Sequence, residues 1–365
     1  MARVLVAMSG GVDSSVAAAL CAEAGHDALG VTLRLSGASS PGRGCCGSSA
    51  DACDARRVAE KIGIPHRLMD MAELFERAVV GPFVSDYLSQ RTPNPCVECN
   101  RKVKFGALLE LADSWKAGVL ATGHYARVRR KEDGAYGLYR AADVRKDQSY
   151  FLYCLTQREL SRSLFPLGEM TKGEVRAKAR ALGLPTAEKP ESMEICFVPG
   201  NDYRAFLRAK LREADDAFAP GDIRDASGRR LGRHKGLLSY TVGQRRGLGI
   251  GAAEPLYVSR LDGATNTLVV ETAKYARRRS FIVGGVSWTR QAQAGEGGAP
   301  GSAEVLVRVR HRGRLCAAGL SALGEDRIRV DLRGGERGIA PGQAAVFYDR
   351  QGDEVLGGGA IEEVP

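Results

Sequence analysis

Through the first part of the chain, apolar positions switch between short unbroken runs and residues spaced for one face of a helix. Val4-Leu5-Val6-Ala7-Met8 is a run of the first kind. A glycine pair breaks it and an alanine-rich pattern follows at 16–20, so strand, tight turn and helix start come in order. Residues 27–35 predict a second strand, ending near Leu33. Ala52, Ala55, Val58, Ala59 and Ile62 predict an amphipathic helix. A third strand is expected at 66–69, a long helix at 71–90, a helix at 101–115 and a buried strand at 119–122. A hairpin-like pair at 127–140 and helices at 157–163 and 171–182 complete this part. Strands alternating with helices predict a doubly wound parallel sheet, in which ligands sit at the carboxyl ends of strands.

Beyond about residue 205 the helical spacing gives way to short β runs between turn signals. Runs at 256–258, 267–270, 280–283, 305–310, 327–330 and 344–348 suggest a small barrel. Residues 36–49 and 295–302 are rich in Gly with Ser or Pro and predict loops. Three domains are expected: 1–205, a central mixed domain at 206–278, and a C-terminal β-barrel at 279–365.

Composition adds a partner. The 53 basic residues exceed the 43 acidic ones, a net charge of +10, which suits a polyanion such as RNA. Val4 to Met8 is too short for a secretory apolar region, and no apolar run reaches membrane-spanning length. A cytoplasmic protein is expected, with no membrane partner. Nine cysteines, an odd number in a long chain of this kind, point to catalysis, metal or inert burial rather than a disulfide framework.

The candidate chemistry begins at Ser9-Gly10-Gly11-Val12-Asp13-Ser14. Glycines let backbone approach a ligand closely, and free N–H groups at a helix N-terminus attract anions. No Gly-Lys dipeptide occurs in the chain, which excludes a Walker A loop. Further on, Thr92-Pro93-Asn94-Pro95-Cys96-Val97-Glu98-Cys99 reads as a stiff loop presenting Cys-x-x-Cys. Asn100 is expected to cap the helix behind it. That helix start, with Arg101, Lys102 and Lys104, favours a thiolate at Cys99. Ile195-Cys196-Phe197 sets a second thiol between apolar residues. Cys21, Cys154 and Cys316 read as core. Cys45, Cys46 and Cys53 lack a second Cys-x-x-Cys or a His pair for zinc.

The hexapeptide at 9–14 resembles the pyrophosphate loop of the ATP pyrophosphatases. With Thr92 to Asn100, Ala121-Thr122-Gly123-His124-Tyr125, Lys146 to Tyr150, Ile195-Cys196-Phe197 and Pro341 to Tyr348 in one order, the whole chain resembles the tRNA-uridine 2-sulfurtransferases, or 2-thiouridylases. The resemblance implies an adenine nucleotide α-hydrolase-like fold and ATP-dependent 2-thiolation of a wobble uridine. ATP would lie on Ala7, Met8, Ser9, Gly10, Gly11, Val12, Asp13 and Ser14, bordered by Leu33 and Gly123, with Asp13 helping to hold Mg²⁺. Cys196 would carry a persulfide received from a sulfur-relay protein or cysteine desulfurase. Cys99 would be the nucleophile that assists it, by reducing the persulfide to release sulfide or by closing a transient disulfide with Cys196. Asn94, Pro95 and Cys96 would face the target base, while His124, Lys146, Asp147, Gln148, Arg310, His311 and Gln343 would contact tRNA.

The chain departs from part of the family at Leu33, where some relatives carry methionine, and at Cys96, where some carry aspartate. An alternative reading assigns Cys96, Cys99 and Cys196 to an iron–sulfur cluster. Two other functions compete: an ATP pyrophosphatase acting on a small molecule, and an RNA-binding module that only retains the nucleotide fold. Neither accounts for the thiols and the basic barrel together.

Overall fold

The computed structural model describes residues 2–35, 49–191, 195–211, 215–290 and 304–365. Cys45, Cys46, most of the 36–49 loop and the 295–302 stretch lie outside the described residues.

The β-branched run at the start forms β1 (Arg3–Ala7), and Val4, Leu5 and Val6 are fully buried. Helix α1 (Val12–Glu23) follows, then β2 (Asp27–Arg34), α2 (Ser49–Ile62), β3 (His66–Asp70), β4 (Val119–Thr122) and the short β7 (Ser163–Leu164). These strands form one parallel sheet in the order β3-β2-β1-β4-β7. The order reverses at β1, so its carboxyl end opens a crevice for a ligand.

Strands β8 (Gly221–Asp225), β9 (Arg230–His234), β10 (Leu256–Asp262) and β11 (Thr267–Thr272) make a second sheet around Ile223, Val258, Leu268 and Val270. The first two runs assigned to the barrel from sequence therefore belong to this central unit. The barrel proper is β12 (Arg277–Trp288), β13 (Val305–Arg308), β14 (Cys316–Ala322), β15 (Ile328–Arg337), β16 (Ala344–Tyr348) and β17 (Glu354–Glu363), closed by a β12–β17 pairing. Alternation is clean along β15: Ile328, Val330 and Leu332 are buried and Arg329, Asp331 and Arg333 exposed, the period of two that a barrel wall demands.

The hairpin β5 (Ala126–Arg130) and β6 (Tyr136–Arg140) leaves the first sheet and joins the barrel, pairing Leu138 with Val355 and Tyr139 with Glu354. Leu5, Val31, Leu120, Leu138 and Tyr150 share a single core with Ala344, Val346, Tyr348 and Val355. First domain and barrel are thus joined by buried apolar packing as well as by strand pairing.

The Cys-x-x-Cys segment is helical, not a loop. A helix opens at Pro95–Glu98 with Asn94 at the N-cap, continues as a π-helix over Cys99–Ala107 and ends as Leu108–Ser114. Pro95 occupies the first helical position, where its fixed φ suits a helix and its missing N–H costs nothing. Asn100 is therefore interior, and its Nδ2 donates to Phe151 O at 3.0 Å. The helix expected at 71–90 runs from 72 to 88 with a π segment at Glu76–Val80. The helix expected at 157–163 stops at Leu160.

Candidate active site

The loop between β1 and α1 is held in shape by its own serines. Ser14 Oγ accepts from the Ser9 amide at 3.1 Å and donates to Gly11 O at 3.1 Å. Gly10 has φ +74°, and a Cβ there would stand 2.2 Å from Asp51 O in α2, so only glycine fits. Gly11 is the N-cap of α1 with no side-chain cap, which leaves the helix N-terminus to an external anion. Gly123, at the end of β4, packs against the same turn, and a Cβ there would lie 2.8 Å from the Ser14 amide nitrogen.

A cavity of about 340 Å³ opens over this loop. Of the residues expected to hold ATP, Ala7, Met8, Ser9, Asp13, Ser14, Leu33 and Gly123 line it, whereas Gly10, Gly11 and Val12, at the turn and the start of α1, do not. Lys104, Arg145, Lys146, Lys172 and Arg312 give the walls positive charge, countered by Asp13 and Glu191. Asp13 Oδ1 accepts from Lys172 Nζ at 2.6 Å and from Tyr125 Oη at 2.8 Å. Glu191 takes both carboxylate bonds from Lys146 Nζ at 2.7 Å. Those bonds, chiefly, hold its pKa below the ordinary carboxylate value.

His124 is buried in the same wall. Burial first, and the Lys104 charge second, push its pKa well below the usual imidazole value, so the ring is neutral at pH 7. Lys104 Nζ, which can only donate, lies 3.4 Å from Nε2. The proton therefore sits on Nδ1, which faces Thr122 Oγ1 at 2.7 Å.

Behind the Gly loop stands Lys189. Its ammonium reaches Gly10 O at 2.9 Å, Asp51 Oδ1 at 2.7 Å and Asp54 Oδ2 at 2.7 Å. Partial burial disfavours its charge, but the two carboxylates more than offset that and raise its pKa.

The two thiols assigned to sulfur transfer meet in one apolar cluster. Cys99 is buried among Phe75, Ala78, Val79, Val80 and Val103, and Cys196 packs against that cluster with Phe197, Leu33 and Leu35. Neither is in a disulfide. Leu33 and Leu35 also line the cavity, so this pair of leucines lies between the two. Cys96 lies in the first helical turn, one turn ahead of Cys99. Two of the basic residues expected to act on Cys99 turn to Glu98 instead: Lys102 at 2.9 Å and Arg101 at 3.7 Å. Among the described residues no three His, Cys, Asp or Glu side chains are grouped as a metal site. Cys96, Cys99 and Cys196 are thus not assembled as cluster ligands. Cys316, expected in the core, is only half-buried, with Sγ 3.5 Å from Glu336 Oε2.

The positions assigned to tRNA divide. His124, Lys146, Gln148 and His311 line the cavity, His311 from the barrel side. Arg310 is exposed and pairs loosely with Glu336 at 3.5 Å. Gln343 donates to Thr92 O and Pro93 O at 3.2 and 2.9 Å, and so seats the Asn94–Pro95 turn against the barrel. Asp147 has a side chain only 1% exposed, between Arg140 at 3.2 Å and Arg308 at 3.1 Å. It does not face solvent; it ties the first domain to the barrel while its neighbours Lys146 and Gln148 reach the cavity.

The family model described as the tRNA methyl transferase HUP domain matches residues 2–200. The tRNA methyl transferase PRC-barrel domain matches 205–272 and the aminomethyltransferase β-barrel domain 278–361. A tRNA-specific 2-thiouridylase of Chloroflexus aurantiacus is 49% identical, covering 99% of this chain and 98% of that one. The protein of the same name from Carboxydothermus hydrogenoformans is 46% identical over 99% and 98%, and that from Bradyrhizobium 46% over 99% and 90%. The chain belongs to the tRNA-specific 2-thiouridylase family.

It is thus a sulfurtransferase of tRNA modification. Four cavity or loop residues of this 2-thiouridylase escaped the sequence reading: Arg145, Lys172, Lys189 and Glu191. Only Lys172 leaves a trace. It opens a helix after the Thr171–Glu174 capping box, at an end where a cation is locally unfavourable. Such a broken local rule marks a site.

Proposed function

We propose that the protein uses ATP to activate the C2 carbonyl of the wobble uridine of tRNA and replaces that oxygen with sulfur carried by Cys196. The observation that carries this reading is the adjacency of two unlike sites: a cationic cavity on a glycine loop, and two cysteines in one apolar cluster behind Leu33 and Leu35.

A uracil C2 oxygen is a poor leaving group. Its attack on the α-phosphorus of ATP forms an O–P bond and expels pyrophosphate, so that AMP can leave later. Lys146, Lys172 and the α1 N-terminus bind the polyphosphate and stabilise charge as it develops there. Asp13 and Glu191 supply the hard oxygen donors that Mg²⁺ prefers, and the ion when bound neutralises phosphate charge. The terminal sulfur of a Cys196 persulfide attacks C2. Cys99 then attacks Cys196 Sγ, which yields a Cys99–Cys196 disulfide, 2-thiouridine and AMP. The sulfane sulfur gains the two electrons that the two thiols lose, and an external thiol resets the pair. A persulfide-donating protein loads Cys196, and the reaction is placed in the cytoplasm. An iron–sulfur cluster on Cys96, Cys99 and Cys196 has no assembled ligand set among the described residues.

His311 and Arg312 enter the cavity from the barrel. With Asn94, Pro95 and Cys96 they would receive a base splayed out of the anticodon loop, which needs no duplex opening. The test is mass analysis of the wobble nucleoside after incubation with tRNA, ATP, Mg²⁺ and a persulfide source. Formation of 2-thiouridine with stoichiometric AMP is expected. An unchanged nucleoside, with the persulfide loaded and ATP bound, rejects the reading.

A further inference from the structure

We propose that Lys189 is a positioning residue for the pyrophosphate end of ATP, acting through the Gly10–Gly11 peptide rather than by touching phosphate. The proposal rests on the nucleotide reading above.

A glycine pair is the most pliable link a chain can have, and its central peptide can present either its N–H or its C=O to a ligand at little cost. For an anion site only one orientation serves. The peptide is planar and trans, so its C=O and N–H point in opposite directions. Lys189 Nζ accounts for the carbonyl: Gly10 O lies 2.9 Å away, on the same side as Asp51 and Asp54. The Gly11 N–H is thereby turned the other way, at the N-cap of α1. A flipped peptide would aim the carbonyl oxygen at the phosphates instead.

The ammonium has three protons and three acceptors at 2.9, 2.7 and 2.7 Å, so its donor capacity is filled without a ligand. Its charge also offsets two carboxylates beside a loop meant for a polyanion. The backbone is fixed in turn, since Arg176 donates to Ala187 O at 3.0 Å and Lys189 O at 3.2 Å. Arg176 belongs to the helix Lys172–Ala181, which also delivers Lys172 to Asp13.

The experiment compares calorimetric titration of ATP, inorganic pyrophosphate and AMP into the full-length protein and two variants, Lys189→Met and the triple Lys189→Met/Asp51→Asn/Asp54→Asn. AMP lacks the β and γ phosphates, so a peptide-orienting role weakens ATP and pyrophosphate by about tenfold or more, the scale of a lost charge-assisted bond, and leaves AMP within about twofold. The loss should persist in the triple variant, where no uncompensated acid remains to repel phosphate. That variant also carries the comparison if Lys189→Met alone loses its fold. Equal weakening of AMP, unchanged ATP affinity, or recovery in the triple variant overturns the proposal. Wild-type protein that binds neither ATP nor pyrophosphate removes the nucleotide reading itself, and this proposal with it.

Discussion

The cavity over the glycine loop and the thiol cluster share the wall formed by Leu33 and Leu35, yet opposite forces build them. On the cavity side, charge-assisted bonds join Tyr125 and Lys172 to Asp13 and Lys146 to Glu191, and a looser Lys172–Glu191 ion pair at 3.8 Å links the two groups. On the thiol side, Phe197 meets Phe75 at 5.6 Å and Phe83 at 5.1 Å, edge to face, with Val79, Val80 and Val103 around Cys99. The difference matches the two halves of the proposed chemistry. Phosphate needs fixed charge and oriented dipoles, whereas a persulfide must be shielded from stray thiols and water. Placing both tasks in one polar pocket would compromise each.

The sharpest way to break this division is to delete a thiol. Cys99→Ala or Cys196→Ala should lower thiouridine formation by at least about 10³-fold, as expected for a member of a catalytic unit, with ATP and tRNA affinity unchanged by calorimetry. Retained thiolation in Cys196→Ala would contradict its role as carrier. Next come two lesions of similar cost on opposite sides. Phe75→Ala empties part of the thiol cluster and should cost about 3–5 kcal/mol in denaturant titration while ATP affinity holds. Asp147→Asn leaves Arg140 and Arg308 without their counter-ion and should also cost about 3–5 kcal/mol. Here ATP binding should weaken too, because Lys146, Gln148 and the barrel loop lose their anchor. Equal effects of the two on ATP affinity would erase the distinction.

A smaller effect is expected at Gly123→Ala. Backbone at 2.8–2.9 Å from the added methyl must move, costing about 1–3 kcal/mol, and ATP affinity should fall more than thiol reactivity toward a maleimide. The smallest concerns acid. His124 is neutral when folded, with its pKa pushed below 6.5, so the unfolded chain binds its proton first. Its contribution is complete above pH 6.5 and fades as pH drops through that value toward the lowered one. Thermal midpoints of His124→Gln should therefore fall less steeply between pH 7 and 5 than those of the wild type, and a parallel fall would remove the effect.

Much of the first domain was legible because β1, the glycine turn and α1 each obey a local rule: a β-branched run, a residue type that tolerates positive φ, an alanine-rich helix. The helix at the thiol segment is hidden by two prolines that signal a break, although Pro95 at a first helical position starts one. The spacing predicts a helix from 101, but not that it is a π-helix over Cys99–Ala107, since wider turns shift register without changing composition. Asp147 looked like one more polar residue in a tRNA-facing stretch. Its burial depends on Arg308, 161 residues away, and no local pattern encodes a pairing that distant. Lys189 escaped for the same reason: its meaning lies in the backbone of Gly10.

Strand β6 has hairpin β5 on one side and β17 on the other, and that arrangement bears on how the chain can be cut. A shortened chain lacking β16 and β17 would present Leu138 and Tyr139 as an uncovered rim of amide and carbonyl groups, beside a core missing Val346, Tyr348 and Val355. Such a rim recruits foreign strands. The nucleotide half is therefore expected to precipitate when made alone, and any ancestral version without the barrel would have needed a different cover for that edge.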